Sequence, residues 1–335
     1  MASGAVEGYD IIGDVHGCAT QLEELLAELG YRMVDGTGEY RHPSRRVIFV
    51  GDLIDTGAEQ LRVLEVVKAM ADAGSALAVM GNHEFNALAY HTEWPPGSGQ
   101  YLRAHGDPND ARFGKNTRQH WAFLEQVTGA DRQRYLEWFA TLPLWLDLGD
   151  LRVVHACWHA ESIAVVQRRC GTVTPFDKLD HLVAANSEGD PLHAAIETLL
   201  KGPEISLSDH GQPAHLDGKG TPRSHARVQW WNSNARTLRE IAVIASHYTT
   251  DNGDPYPELP HLDVPAESQS FVYTDDIPVF YGHYWRQGPP RRQHDWTDHT
   301  ACVDFSAVAG GALTAYRWSG ENRITPEHFV TAGGC

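Results

Sequence analysis

"YDIIGDVHGC", residues 9 to 18, places an Asp and a His two positions apart at the end of a short apolar run. The run from Tyr9 to Ile12 reads as a buried strand. Gly13 and Gly17 flank Asp14 and His16, allowing a sharp turn and a close approach of backbone to a ligand. A single Asp or His after a strand is ordinarily a turn residue or a helix cap. The pair therefore takes its meaning from what the rest of the chain repeats.

Four more apolar runs show the same arrangement. "RVIFV" (46–50) is followed by "GDLIDTG", "ALAVM" (76–80) by "GNHE", "LRVV" (151–154) by "HACWH" and "IPVFY" (277–281) by "GHYW". Between the first three runs lie helical patterns: Leu22, Leu25, Leu26 and Leu29 before Gly30, then Leu61, Leu64 and Val67 before Gly74. Strand, helix, strand, helix, strand implies parallel crossovers and an α/β core. In such a core the carboxyl ends of the strands face one crevice, where ligands bind. Each run delivers Asp, Asn or His to that end.

Composition narrows the alternatives. The chain has 335 residues, 42% of them apolar, enough for one large or two ordinary domains. A formal charge of −17 argues against nucleic acid or an anionic membrane as partner. No run approaches the roughly 20 apolar residues of a membrane-spanning helix, and the start carries no basic leader, so a cytoplasmic protein is expected. The five cysteines, Cys18, Cys157, Cys170, Cys302 and Cys335, are scattered without a CxxC pair and read as reduced thiols. A single domain over 1–335 is expected, with a helical insertion at 86–145 and a Gly-, Pro- and His-containing cap or loop system at 162–268. "ACVDFSAVAGGALTAYRWSG" reads as two strands joined by a Gly-containing turn.

Asp14, His16, Asp52, Asn82, His155 and His283 together make an oxygen and nitrogen donor set without thiolate. Such a set suits Mn²⁺, Fe or Zn²⁺ in an open catalytic site rather than a structural zinc site. Six donors exceed the need of one tetrahedral ion and fit a pair bridged by one carboxylate. Two ions about 3.5–4 Å apart ionise water at neutral pH and clamp the attacking and leaving oxygens of a phosphoryl displacement.

The ordered series GDVHG, GDLIDTG, GNHE, a later His after a strand and a final GH resembles the calcineurin-like metallophosphoesterases. The intact Asp55 and the GNHE form look most like the phosphoprotein phosphatase branch, with its bacterial phosphatases and dinucleoside polyphosphate hydrolases. The resemblance implies a metallo-dependent phosphatase fold: a central β-sandwich flanked by helices, with a βαβαβ start and two insertions. It also implies roles. Asp14 and His16 would hold one ion, Asp52 would bridge, and Asn82, His155 and His283 would hold the second, with Mn²⁺ foremost. His83 would be the general acid, oriented by Asp55, since a neighbouring carboxylate raises an imidazole pKa. Asp55 also has a local alternative as cap of a helix starting near Ala58.

The chain departs from the family in two places. Thr56 stands where the branch usually has a phosphate-clamping Arg, and Thr lacks that fork of donors. Arg223, Arg227 and Lys201 are candidates to supply the charge. Tyr284 and Trp285 stand where nuclease-like members carry a second His, which agrees with the net charge in disfavouring nucleic acid. His159 and His247 are expected outside the ligand set. Trp230 and Trp231 are expected in a core. Cys157 is not expected to be a nucleophile, because the neighbouring His155 is assigned to metal.

The expectation is a bimetal-dependent phosphoesterase. It would hydrolyse phosphate monoesters, on phosphoprotein or a small metabolite, by direct attack of a metal-bridging hydroxide. The first alternative is a dinucleoside polyphosphate hydrolase of the diadenosine tetraphosphate type, and the second a non-catalytic metal-binding scaffold.

Overall fold

The five apolar runs become strands shared between two facing sheets. A computed structural model of the protein describes residues 6–110, 114–217, 220–245 and 248–333, so His247 and Cys335 lie outside the described residues. Gly8–Ile12, Arg45–Phe49 and Ala76–Ala78 are parallel neighbours in the first sheet. The helices Ala19–Glu28 and Gln60–Asp72 make the two crossovers. Ala312–Trp318 adds antiparallel to Gly8–Ile12, and Asp304–Phe305 and Phe329–Ala332 complete that sheet. The Asp304–Phe305 and Ala312–Trp318 strands are the expected C-terminal pair, turning through Gly310 and Gly311.

The second sheet runs in the order Thr300–Cys302, Val279–Tyr281, Arg152–Val154, Trp145–Asp147. Its three pairings differ in sense: Val279–Tyr281 is parallel to both of its neighbours, whereas Trp145–Asp147 is antiparallel to Arg152–Val154. Ile11, Ile48, Val50 and Val79 from the first sheet and its strand ends form one buried cluster with Val153, Phe280 and Ala301 from the second. That shared cluster makes the pair a sandwich. Burying each such side chain contributes on the order of 1.5–3 kcal/mol.

Asp10 sits inside the first strand and is fully buried. Arg45 and Arg317 reach its carboxylate at 3.1 and 2.9 Å, and the Tyr31 hydroxyl donates to it at 2.9 Å. A charge taken out of water persists only when so paired.

By its internal contacts the chain divides into two compact units, Met1–Lys201 with Asp276–Cys335, and Gly202–Asp275. The expected helical stretch within 86–145 contains Lys115–Gln119, Trp121–Gln126 and Gly129–Phe139. The stretch 162–268 divides. Its first part belongs to the first unit, in the helices Ala160–Cys170, Leu179–Ala185 and Pro191–Lys201. The second unit carries a three-stranded antiparallel sheet of Glu204–Ser206, His225–Val228 and Ala242–Val243, with Trp230 and Trp231 buried. Among the described residues no helix is long and apolar enough to cross a membrane.

Candidate metal centre

The parallel strands of both sheets end at one place. After Ile12 the chain delivers Asp14 and His16; after Phe49, Asp52; after Ala78, Asn82; after Val154, His155; after Tyr281, His283. All six are buried. The turns are tight enough to force His16, Asp52, Asp55, Thr56 and His283 into the left-handed region, at φ 46, 52, 75, 71 and 70°. Side chains rarely adopt that conformation, and strain of this kind concentrates at functional sites. Gly282 makes room for the first carboxylate: a Cβ there would lie 1.9 Å from Asp14 Oδ1.

Asp52 stands between two groups of donors. On one side its Oδ2 is 3.6 Å from His16 Nε2 and 3.8 Å from His83 Nε2. On the other its Oδ1 is 3.4 Å from His155 Nε2. The ligand atoms of His16, Asp52 and His83, and those of Asp52, His155 and His283, each lie within 4.8 Å of one another. Asn82 Oδ1 joins the second group, 3.0 Å from His155 Nε2 and 2.8 Å from His283 Nδ1. Asp14 is tied in by its Oδ2, which accepts the His283 backbone N–H at 3.0 Å.

The imidazoles are oriented from behind. His16 Nδ1 donates to the Ile54 carbonyl and His155 Nδ1 to the Val50 carbonyl, both at 2.8 Å. Each ring therefore turns its Nε2 toward Asp52, as metal-binding histidines do. Glu84, the last residue of GNHE, holds the loops together: Asp52 N–H and Gly81 N–H donate to its Oε2 at 2.9 and 3.0 Å, and Leu53 N–H to its Oε1 at 2.8 Å.

These residues fit a cation. Asp14 Oδ1 and His16 Nε2 are buried and have no hydrogen-bond partner among the described residues, a costly state unless something positive completes it. Burial pushes the Asp14 carboxyl well up, and the charges of Asp304 and Asp52 push it further. Like charges gathered out of water in this way are relieved by a divalent ion.

Beside the donors lies a chain of three side chains. Asp55 Oδ2 accepts from His83 Nδ1 at 2.6 Å and from His120 Nδ1 at 2.8 Å. Burial would lower the His83 imidazole, yet Asp52 and Asp55 outweigh it and hold it at about 9. The helix begins at Gln60 rather than near Ala58, and Asp55 does not cap it; instead its N–H donates to Gln60 Oε1 at 2.7 Å. With Nδ1 committed to Asp55, only Nε2 of His83 faces the centre.

His120 and Arg103 were not foreseen. Both come from the stretch after GNHE, Arg103 from a loop and His120 from the turn between the helices Lys115–Gln119 and Trp121–Gln126, where no motif marks them. Arg103 Nη2 donates to Gln119 Oε1 at 2.6 Å, and Gln119 Nε2 lies 3.3 Å from His83 Nδ1. The Arg103 Nε is buried with no hydrogen-bond partner among the described residues. Of the cations named from sequence, Lys201 ends its helix bonded to Glu197, and Arg223 pairs with Asp217 at 2.9 Å. Arg227 lies in the strand His225–Val228. His159 Nδ1 engages Ser162 Oγ at 2.9 Å. Cys157 is buried, and burial pushes its thiol well up, away from the thiolate a nucleophile requires.

The family model described as calcineurin-like phosphoesterase matches residues 9–190, a match that reaches from the first strand through His155. The chain is similar to bis(5'-nucleosyl)-tetraphosphatase PrpE (asymmetrical) of Oceanobacillus iheyensis, 31% identical over 148 residues, 44% of this chain. It spans only 54% of that relative's length. To the protein of the same name in Geobacillus sp. it is 44% identical over 197 residues, 58% of this chain and 74% of the relative. A bis(5'-nucleosyl)-tetraphosphatase named symmetrical, from Aromatoleum aromaticum, is 24% identical over 82% of this chain and 97% of its own.

Proposed function

This chain belongs to the calcineurin-like phosphoesterase family, a family of hydrolases acting on phosphate esters, and from that premise we propose that it cleaves dinucleoside polyphosphates. The observation that carries the chemistry is Asp52, one carboxylate whose two oxygens serve two separate donor groups. The family implies a binuclear divalent centre. In this chain Asp14 and His16 would hold one ion, Asn82, His155 and His283 the other, and Asp52 both. Two such ions, with Mn²⁺, Fe and Zn²⁺ all suited to the donor set, would supply Lewis acidity and a water ionised near neutral pH.

The remaining work falls to the protein's own groups. His83 Nε2 carries the proton that the leaving oxygen takes up, while Asp55 fixes the ring through Nδ1. His120 holds Asp55 in turn. Arg103, linked to His83 through Gln119, is the candidate for the guanidinium missing at Thr56. Support for the dinucleotide substrate over the monoesters first expected comes from the names of the relatives, symmetrical and asymmetrical tetraphosphatases alike. Phosphate monoesters and phosphoproteins would meet the same ions and the same acid.

The test is a substrate comparison on protein reconstituted with Mn²⁺. Diadenosine tetraphosphate should be cleaved with higher kcat/KM than p-nitrophenyl phosphate or a phosphopeptide, and Asp52→Asn should abolish all three activities. A preference for the phosphopeptide would overturn the substrate. Absence of turnover with every divalent metal would overturn the catalytic reading itself.

A further inference from the structure

The loop leaving the strand Val279–Tyr281 does more than deliver His283. Two residues on, Trp285 also takes a left-handed backbone, φ 50°, where glycine is the ordinary occupant and a bulky side chain is strained. The strain is held in place: the Trp285 N–H donates to Asp304 Oδ2 at 2.6 Å, and the other oxygen of that buried carboxylate accepts the Ser306 N–H at 3.0 Å. Apolar burial does not repay the strain, because Trp285 remains 41% exposed. Its ring centroid lies 5.8 Å from that of His16, tilted by 40°. A constrained indole is thus set at the rim of the metal centre, beside a ligand of the proposed first ion, with much of its surface open to water.

We propose that Trp285 is a stacking platform for the nucleobase of a nucleotide whose phosphates occupy the metal centre. The proposal rests on the reading of that centre given above and deepens it, since it assigns a side chain to the part of the substrate that the ions do not touch. An aromatic face takes any base, because every base presents a π face. The platform would therefore favour nucleotides over bare phosphates without selecting among bases.

Binding to protein loaded with Mn²⁺, measured by isothermal titration calorimetry, tests this with two probes that share a diphosphate and differ in the adenosine: ADP and inorganic pyrophosphate. Trp285→Ala should weaken ADP about tenfold, within the range base stacking contributes, with a much smaller change for pyrophosphate. Trp285→Phe should restore most of the lost ADP affinity. Equal loss for both probes would mean that the substitution disturbs the ion site, and would overturn the proposal. So would ADP binding unaffected by Trp285→Ala. Turnover of p-nitrophenyl phosphate by the same wild-type sample reports separately on the phosphoesterase reading, so the two failures are distinguishable.

Discussion

The Nδ1 of His120 lies 2.8 Å from Asp55 Oδ2, the same oxygen that His83 reaches at 2.6 Å. One carboxylate oxygen thus takes two imidazole donors, and His120, fully buried, has no exposure to solvent of its own. His120→Ala should leave Asp55 short of a donor and cost about 1–3 kcal/mol of stability. It should also lower kcat, by less than His83→Ala does, with KM little changed. His120→Asn should recover part of kcat, because the Asn amide nitrogen can stand where Nδ1 stood. Steady-state kinetics with thermal melting of each variant checks this; a stability loss without a kcat effect would limit His120 to packing.

In metal-free protein the His83 imidazole should titrate near the value of about 9 at which Asp52 and Asp55 hold it against burial. Its folded pKa exceeds the ordinary 6.5. The protonated form therefore stabilises the fold, fully below the unfolded value, and that contribution is lost as pH rises through about 9. Nuclear magnetic resonance titration of the ring should show the raised midpoint, and Asp55→Asn should lower it. The melting-temperature gap between wild type and Asp55→Asn should shrink from neutral toward alkaline pH.

Asp14→Asn should act in opposite directions on fold and metal. Burial, then Asp304 and Asp52, push the Asp14 carboxyl well up, so a neutral isostere relieves a buried charge that has no cation beside it. The metal-free variant should melt at a higher temperature than metal-free wild type, yet gain less on addition of Mn²⁺. Calorimetry with and without metal measures both. A variant less stable than wild type in both states would show that Asp14 is held by its hydrogen bond to His283 rather than strained by its neighbours.

Arg103→Ala should raise KM for diadenosine tetraphosphate by about tenfold or more, as expected for loss of a charge-assisted bond to phosphate. Arg103→Lys should not restore it, since an ammonium cannot keep the bond to Gln119 and present a second donor in the same plane. An effect confined to kcat would instead place Arg103 behind His83, acting through Gln119.

Much of the donor set was legible because it is local. An apolar β-rich run followed at once by a polar residue, through a Gly in four of the five cases, is written in consecutive positions, and Asp14, His16, Asp52, Asn82, His155 and His283 all stand at such junctions. The crossovers were legible for the same reason, as Leu22, Leu25 and Leu26 share one buried helix face. In the second helix the expected Leu61 is only half-buried while Val63 and Val66 are buried, a small rotation set by what the sheet offers. Periodicity determines that a face exists, and packing selects its centre.

Chain order and local pattern by themselves determined the strands, their chemistry-bearing ends and the family to which the ends belong. Tertiary structure alone decided which strands share a sheet, that Asp10 could be buried because Arg45 and Arg317 come to it, and what stands behind His83. His120 reaches Asp55 across 65 positions, from a stretch with no motif. Trp285 is one indole among ten in the sequence until the fold sets it beside His16. A local pattern can specify a turn, because the turn's energy is local; it cannot specify which distant side chain completes a buried carboxylate, because that partner is chosen by the packing of the whole domain.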